Sequence, residues 1–174
     1  MGGRRRKGRA ARPALLFAVY DGLVLYNLIK LIHILLAITA VGANISYAVW
    51  LARAARGPKE LTEFALRGIK FLDDRIANPS YGLLLVSGLI MVFIGPWNLT
   101  TRWIDGALIL WVIIVLIAAL GYTPALRNQI KALESDGLGS VAYEAAARRQ
   151  RILGIAFVVP IVLILFLMVF KPAV

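Results

Sequence analysis

The sequence predicts an all-α integral membrane protein, a four-helix bundle with an interfacial amphipathic helix between spans one and two. Three observations predict it. Of the 174 residues, 60% are hydrophobic, and the mean hydropathy is +0.79, outside the range of ordinary soluble domains. The apolar residues are gathered into four blocks rather than dispersed. Each block is continuous: ILGIAFVVPIVLILFLMVF, for example, carries no charge and is long enough to cross the roughly 30 Å hydrocarbon layer as a helix. Barrel strands would be short and alternating, whereas continuous runs suit helices, which satisfy their own backbone in lipid.

Residues 1–24 read as a basic tail and lead-in, and 25–174 as the transmembrane domain, with spans at about 26–51, 76–95, 103–122 and 152–170. The second span opens on Asn78-Pro79, an N-cap amide followed by a proline suited to a first helical turn. Between spans one and two, PKELTEFALRGIKFLDDR places Leu61, Phe64, Ala65, Ile69 and Leu72 at helical spacing, with Lys59, Arg67 and Lys70 off that stripe. This is the amphipathic helix, expected to rest on the inner membrane surface. VAYEAAARRQR leads into the last span as one uninterrupted helix.

Charge sets the orientation. Arg53, Arg56, Lys59, Arg67, Lys70 and Arg75 lie in the first link, and Arg127, Lys131, Arg148, Arg149 and Arg151 in the third, while the short turn PWNLTTRW has only Arg102. The positive-inside rule makes the two basic links cytoplasmic, in a multi-pass protein of the cell inner (plasma) membrane. The tail MGGRRRKGRAAR conflicts with that assignment. It reads as an upstream-start artefact, as a segment translocated against the rule, or as the prelude to ALLFAVYDGLVLY lying along the surface. Asp21 and Gly22 interrupt the apolar stretch that a cleaved signal peptide would need.

The formal net charge of +11 points to anionic lipid headgroups and not to nucleic acid, because the basic residues flank membrane spans and lack interleaved aromatics. With no cysteine, disulfides and thiolate metal sites are excluded. No Ser-His-Asp set, phosphate-cradling glycine loop or pair of intramembrane carboxylates is present, so the chain does not read as an enzyme.

Polar chemistry is concentrated in the first span. At about 100° per residue, Tyr26, Lys30, His33, Ala37, Ala40, Asn44 and Tyr47 share one sector of roughly 100°, and that stripe should face the bundle. Lys30 stands near the outer end, where it snorkels to headgroups or pairs with Asp105. His33, the sole histidine, reads either as a structural hydrogen-bond partner or as a ligand. Lys30, His33, Asn44 and Tyr47 are the candidate cofactor-binding set. His33 with the thioethers of Met91 and Met168 is the candidate metal set, suited to copper(I) or to an axial position on haem.

LIKLIHILLAITAVGA, NPSYGLLLVSGLIMV, TTRWIDGALILWVI and GYTPALRNQI, in that order, resemble the bacterial predicted integral membrane proteins grouped as domain of unknown function twenty-two sixty-nine. The resemblance covers about residues 25–170. Its most specific parts are Lys30 with His33, Pro79 with Ser87-Gly88-Leu89, Trp103-Ile104, and Pro124 with Arg127. It implies a four-helix membrane fold and no particular activity. Lys30, His33 and Gly42 are also distantly similar to the opening of CopD-type copper-resistance domains and HemJ-type haem-pathway proteins, though the additional histidines or methionines of a copper conduit are missing. Two functions follow as expectations. One is a non-enzymatic accessory or scaffold subunit packing against a membrane-protein partner or its own copies, with Gly82, Ser87, Gly88 and Gly95 allowing close approach. The other is a haem- or copper-binding protein using His33 in redox or transport.

Overall fold

The computed structural model describes the backbone of residues 11–172 and the side chains of residues 22–172. In chain order it forms α1 (Ala11–Ala54), α2 (Lys59–Leu72), a π-helical segment (Asp73–Ala77), α3 (Asn78–Ile94), α4 (Arg102–Leu116), a second π segment (Ile117–Tyr122), α5 (Thr123–Ser135) and α6 (Val141–Phe170). These make four rods. The stretch from α2 to α3 is one helix of 36 residues, and that from α4 to α5 one of 34. With α1 and α6, four helices among the described residues are long and apolar enough to span a membrane, as the apolar runs predict. At about 1.5 Å per residue the longer of the two central rods is roughly 54 Å in length, well beyond the roughly 30 Å of hydrocarbon. The surplus of both central rods projects at the end rich in Lys and Arg.

α1 passes through the expected boundary at residues 24 and 25 without a break, so the lead-in belongs to the same helix as the first span. The basic tail before residue 11 lies outside the described residues. α6 likewise starts at Val141, with the Ser140 hydroxyl accepting from the Tyr143 N–H at 3.2 Å, and runs unbroken into the last span.

Asn78 does not cap a helix. Its N–H bonds back to the Asp73 carbonyl, five residues earlier, and its side-chain amide donates to the Asp73 carboxylate at 3.3 Å. The reason is Pro79, which has no N–H to offer the carbonyl of Arg75 and whose ring crowds that turn. Widening the turn by one residue relieves the crowding, and the helix continues. The other central rod repeats the device. The Thr123 N–H reaches the Ala118 carbonyl just before Pro124. Both π segments stand roughly 20 Å from the basic ends of their rods, where the long apolar runs begin.

α1 packs on α3 and α2, and α6 packs on α4 and α5; α2 against α5 joins the two pairs at the basic end. There the best-buried side chains are found: Leu66, Ile69, Leu126 and Leu133. Arg67 bridges Glu63 at 2.9 Å and Glu134 at 2.7 Å, tying α2 to α5 on the outside of that core. In the apolar half the pairs meet through large side chains. Trp111 Nε1 donates to the Tyr81 carbonyl at 3.3 Å, the Tyr81 ring stands edge-on to Phe157 with centroids 5.6 Å apart, and Val41 and Tyr81 pack on Ile114, Phe157 and Ile161.

The amphipathic helix is α2, but its apolar residues divide. Thr62, Ala65, Leu66 and Ile69 are buried against the protein, and Leu72 packs on the same core, whereas Leu61 and Phe64 are exposed. The single stripe expected from spacing is two faces. Continuity with α3 explains this, since a helix running straight on from a span turns one side to its neighbouring helices.

Candidate functional site

The stripe on α1 does face the bundle. Ala40 and Tyr47 are buried, and Tyr26, His33, Ala37 and Asn44 are half-buried. Lys30 is the exception: it is exposed, and so is Asp105. Among the described residues no ion pair joins them, the pairs formed being Arg67 with Glu63 and Glu134, and Lys70 with Asp74. Of the two roles expected for Lys30, only the snorkelling one is compatible with its position.

The partners of the stripe lie on α3, because α1 and α3 are antiparallel neighbours. His33 Nδ1 is 2.8 Å from the Ser87 hydroxyl, which is also 2.7 Å from the Leu83 carbonyl. When that hydroxyl donates to the carbonyl, its oxygen accepts from an Nδ1–H imidazole, a tautomer that leaves Nε2 free as an acceptor. Gly88 makes the contact close: a Cβ there would stand 3.2 Å from His33 Cε1. One to three turns further along, the Asn44 amide donates to the Ala40 carbonyl at 2.8 Å and to the Tyr81 hydroxyl at 2.9 Å.

Towards the basic end from there lies a second polar group, of which the sequence pattern marks only Tyr47. Tyr47, Tyr122 and Ala77 share one core cluster with Tyr81 packed against it, and Asp73 is buried nearby. Gln150 donates to the Tyr122 hydroxyl at 3.0 Å and Gln129 to the Tyr143 hydroxyl at 3.4 Å. The Tyr47 hydroxyl and Gln129 Oε1 are buried with no hydrogen-bond partner among the described residues. A signal for Asp73 was present: it follows Ile69 by one turn on the buried face of α2, where a solvated carboxylate is out of place.

The turn-side end holds a third arrangement. Trp97 Nε1 donates to the Tyr26 hydroxyl at 3.3 Å, Trp97 and Trp103 stand edge to face at 5.1 Å, and the Lys171 ammonium lies 4.9 Å and 5.7 Å from their ring centroids. This is a cation–π clasp fastening the end of α6 to the turn between α3 and α4.

The candidate sets are therefore only partly assembled. His33, Asn44 and Tyr47 lie along one face, with Lys30 directed away. Met91 shares α3 with Ser87, but Met168 is on α6, whose main neighbours are α4 and α5. Among the described residues no group of three or more His, Cys, Asp or Glu side chains is arranged to hold a metal ion. Copper(I) or haem at His33 would have to draw on Nε2, since Nδ1 is engaged with Ser87.

A family model described as "Predicted integral membrane protein (DUF2269)" matches residues 27–172, and the chain belongs to that family. No curated protein and no solved structure matches it.

Proposed function

We propose that this member of the family is a non-enzymatic accessory or scaffold subunit, packed in a plasma-membrane complex or against its own copies. One observation carries the reading. The polar groups turned into the bundle mostly tie one helix to another: His33 to Ser87, Asn44 to Tyr81, Trp111 to the Tyr81 backbone, Gln150 to Tyr122, Gln129 to Tyr143. Such ties hold a frame in one arrangement, and they are the common use of polar side chains between helices in lipid. Arg53, Arg75, Arg127 and Arg151 put one arginine on each rod close to where its apolar run ends. They support a basic end turned to the cytoplasm and to anionic headgroups.

The test is spectroscopic. The purified protein is expected to show no Soret band and no stoichiometric copper, and His33→Gln is expected to keep helix content and assembly, because an amide replaces the imidazole hydrogen bond. A Soret band or bound copper that disappears in His33→Gln would make α1 a cofactor helix and defeat the scaffold reading. Orientation is tested separately with cysteines at Lys59 and Asn98. An impermeant thiol reagent on intact cells should label the Asn98 site and spare the Lys59 site; the reverse pattern inverts the topology.

A further inference from the structure

Asp73 is the one charged side chain buried among the described residues, with 6% of its surface exposed. The carboxylates near it on the same end of the bundle meet bases: Glu63 and Glu134 meet Arg67, and Asp74 meets Lys70. Asp73 has the Asn78 amide, which donates to it at 3.3 Å. Lys70 is the base whose charge bears on it, but that ammonium is engaged with Asp74. Asp73 stands roughly 4.5 Å before Ile76, where the long apolar run begins. An ionised carboxylate taken out of water at that level needs a counter-charge, and one amide hydrogen bond does not supply it.

Three tyrosines converge on this carboxylate. Its charge reaches the hydroxyls of Tyr47, Tyr81 and Tyr122, which come from α1, α3 and the second π segment. Two of the three are already bonded: Tyr81 accepts from Asn44 at 2.9 Å, and Tyr122 from Gln150 at 3.0 Å. Tyr47 is 2% exposed, and its hydroxyl has no hydrogen-bond partner among the described residues. A hydroxyl so deeply buried needs a partner, and it lies in the field of a carboxylate that needs one too. The two do not bond each other directly, so a single small species between them serves both.

The widened turn adds a third oxygen. The Asn78 N–H goes to the Asp73 carbonyl and Pro79 has no N–H, so the Asp74 carbonyl has neither its four-residue nor its five-residue donor. Backbone carbonyls released where a membrane helix departs from α geometry are known partners of alkali cations in transporters.

We propose that Asp73, the Tyr47 hydroxyl and the widened turn at Asp74 form a seat for one alkali cation, sodium or potassium. The donors are all oxygen, which selects a hard cation. One carboxylate balances one positive charge, whereas a divalent ion would need the second carboxylate, which Lys70 holds. Burial by itself favours the neutral acid and the Asn78 amide favours the carboxylate; a bound cation settles the balance toward the charged form. Held there, the cation joins α1 to the rod of α2 and α3 at the level where the bundle enters the hydrocarbon. The seat goes beyond the packing role proposed above and does not depend on it.

Thermal unfolding of the full chain in detergent tests the seat, compared in NaCl, KCl and N-methylglucamine chloride at equal ionic strength and fixed pH. The melting temperature is expected to rise saturably with an alkali salt over N-methylglucamine. That response is expected to be lost in Asp73→Asn, to need a severalfold higher salt concentration in Tyr47→Phe, and to persist in Glu60→Gln, an exposed carboxylate on the same rod. Should Asp73→Asn fail to fold, Tyr47→Phe decides, since it removes only an oxygen that no described residue bonds. Equal melting temperatures in the three salts overturn the proposal. So does a cation response that survives Asp73→Asn or is unmoved in Tyr47→Phe. A melting temperature that follows pH and not the cation also overturns it, and assigns the counter-charge to a proton on Asp73.

Discussion

The basic end and the lipid-embedded half of this bundle are held together by different forces. At the basic end, α2, α5 and the start of α6 enclose Leu66, Ile69, Leu126 and Leu133, packed as in a soluble protein. In the apolar half, among the described residues, the buried hydrophobic cluster is Ile114, Phe157 and Ile161, and helices are joined by single polar ties and by aromatic edges. Water drives apolar side chains together at one end. Lipid, as apolar as leucine, offers no such drive in the other, where close backbone approach and hydrogen bonds between helices take over. One chain thus has a solvent-driven clamp and a lipid-embedded frame whose helix pairs lean on it.

The largest expected effect sharpens that contrast. Leu66→Ala should destabilise the protein by about 2–5 kcal/mol, the usual cost of a cavity in a tight core. The lipid-facing Leu116→Ala, exposed in the structure, should change little. Thermal unfolding in detergent compares them, and equal losses for the two would mean that the basic end is no better packed than the spans.

A middle-sized effect belongs to the frame. A Cβ at Gly88 already stands 3.2 Å from His33, so Gly88→Leu should cost on the order of 1–3 kcal/mol by forcing α1 and α3 apart. Val92→Ala on the same helix should cost less. An unchanged melting temperature for Gly88→Leu would show that α1 and α3 are not held at this distance.

The smallest effect tests the polar ties one at a time. A double-mutant cycle with Asn44→Ala and Tyr81→Phe should return a coupling of about 0.6 kcal/mol, the average for such bonds between membrane helices. A coupling several times larger would place real stability in the lipid-embedded half and narrow the difference between the two regions.

Much of this was legible in the residues. The length of each apolar run decides whether a helix can span, and periodicity decides which face of α1 turns inward, so the four rods and the inward position of His33, Asn44 and Tyr47 followed from local pattern. The small residues did not read so directly. Ser87 and Gly88 serve contact with His33, Gly95 lies against Tyr26 and Trp97, and only Gly82 of the expected set is open to a partner. Spacing marks a residue as small and on a face but not what that face meets.

The sequence by itself determined the helices, their apolar lengths, the charge at one end and the polar stripe on α1. All of these depend on neighbours within a turn or two of the same helix. Only the tertiary structure decided that Pro79 and Pro124 sit inside continuous rods. A helix stops at a proline unless its neighbours hold both halves in line, and here α1 and α6 do so. It also decided that α2 covers one apolar face and leaves another open, that His33 meets Ser87, and that Lys171 closes over Trp97 and Trp103. Each of these contacts joins residues far apart in the chain, and no local energy term fixes them: which pair meets depends on how the rods are placed against one another.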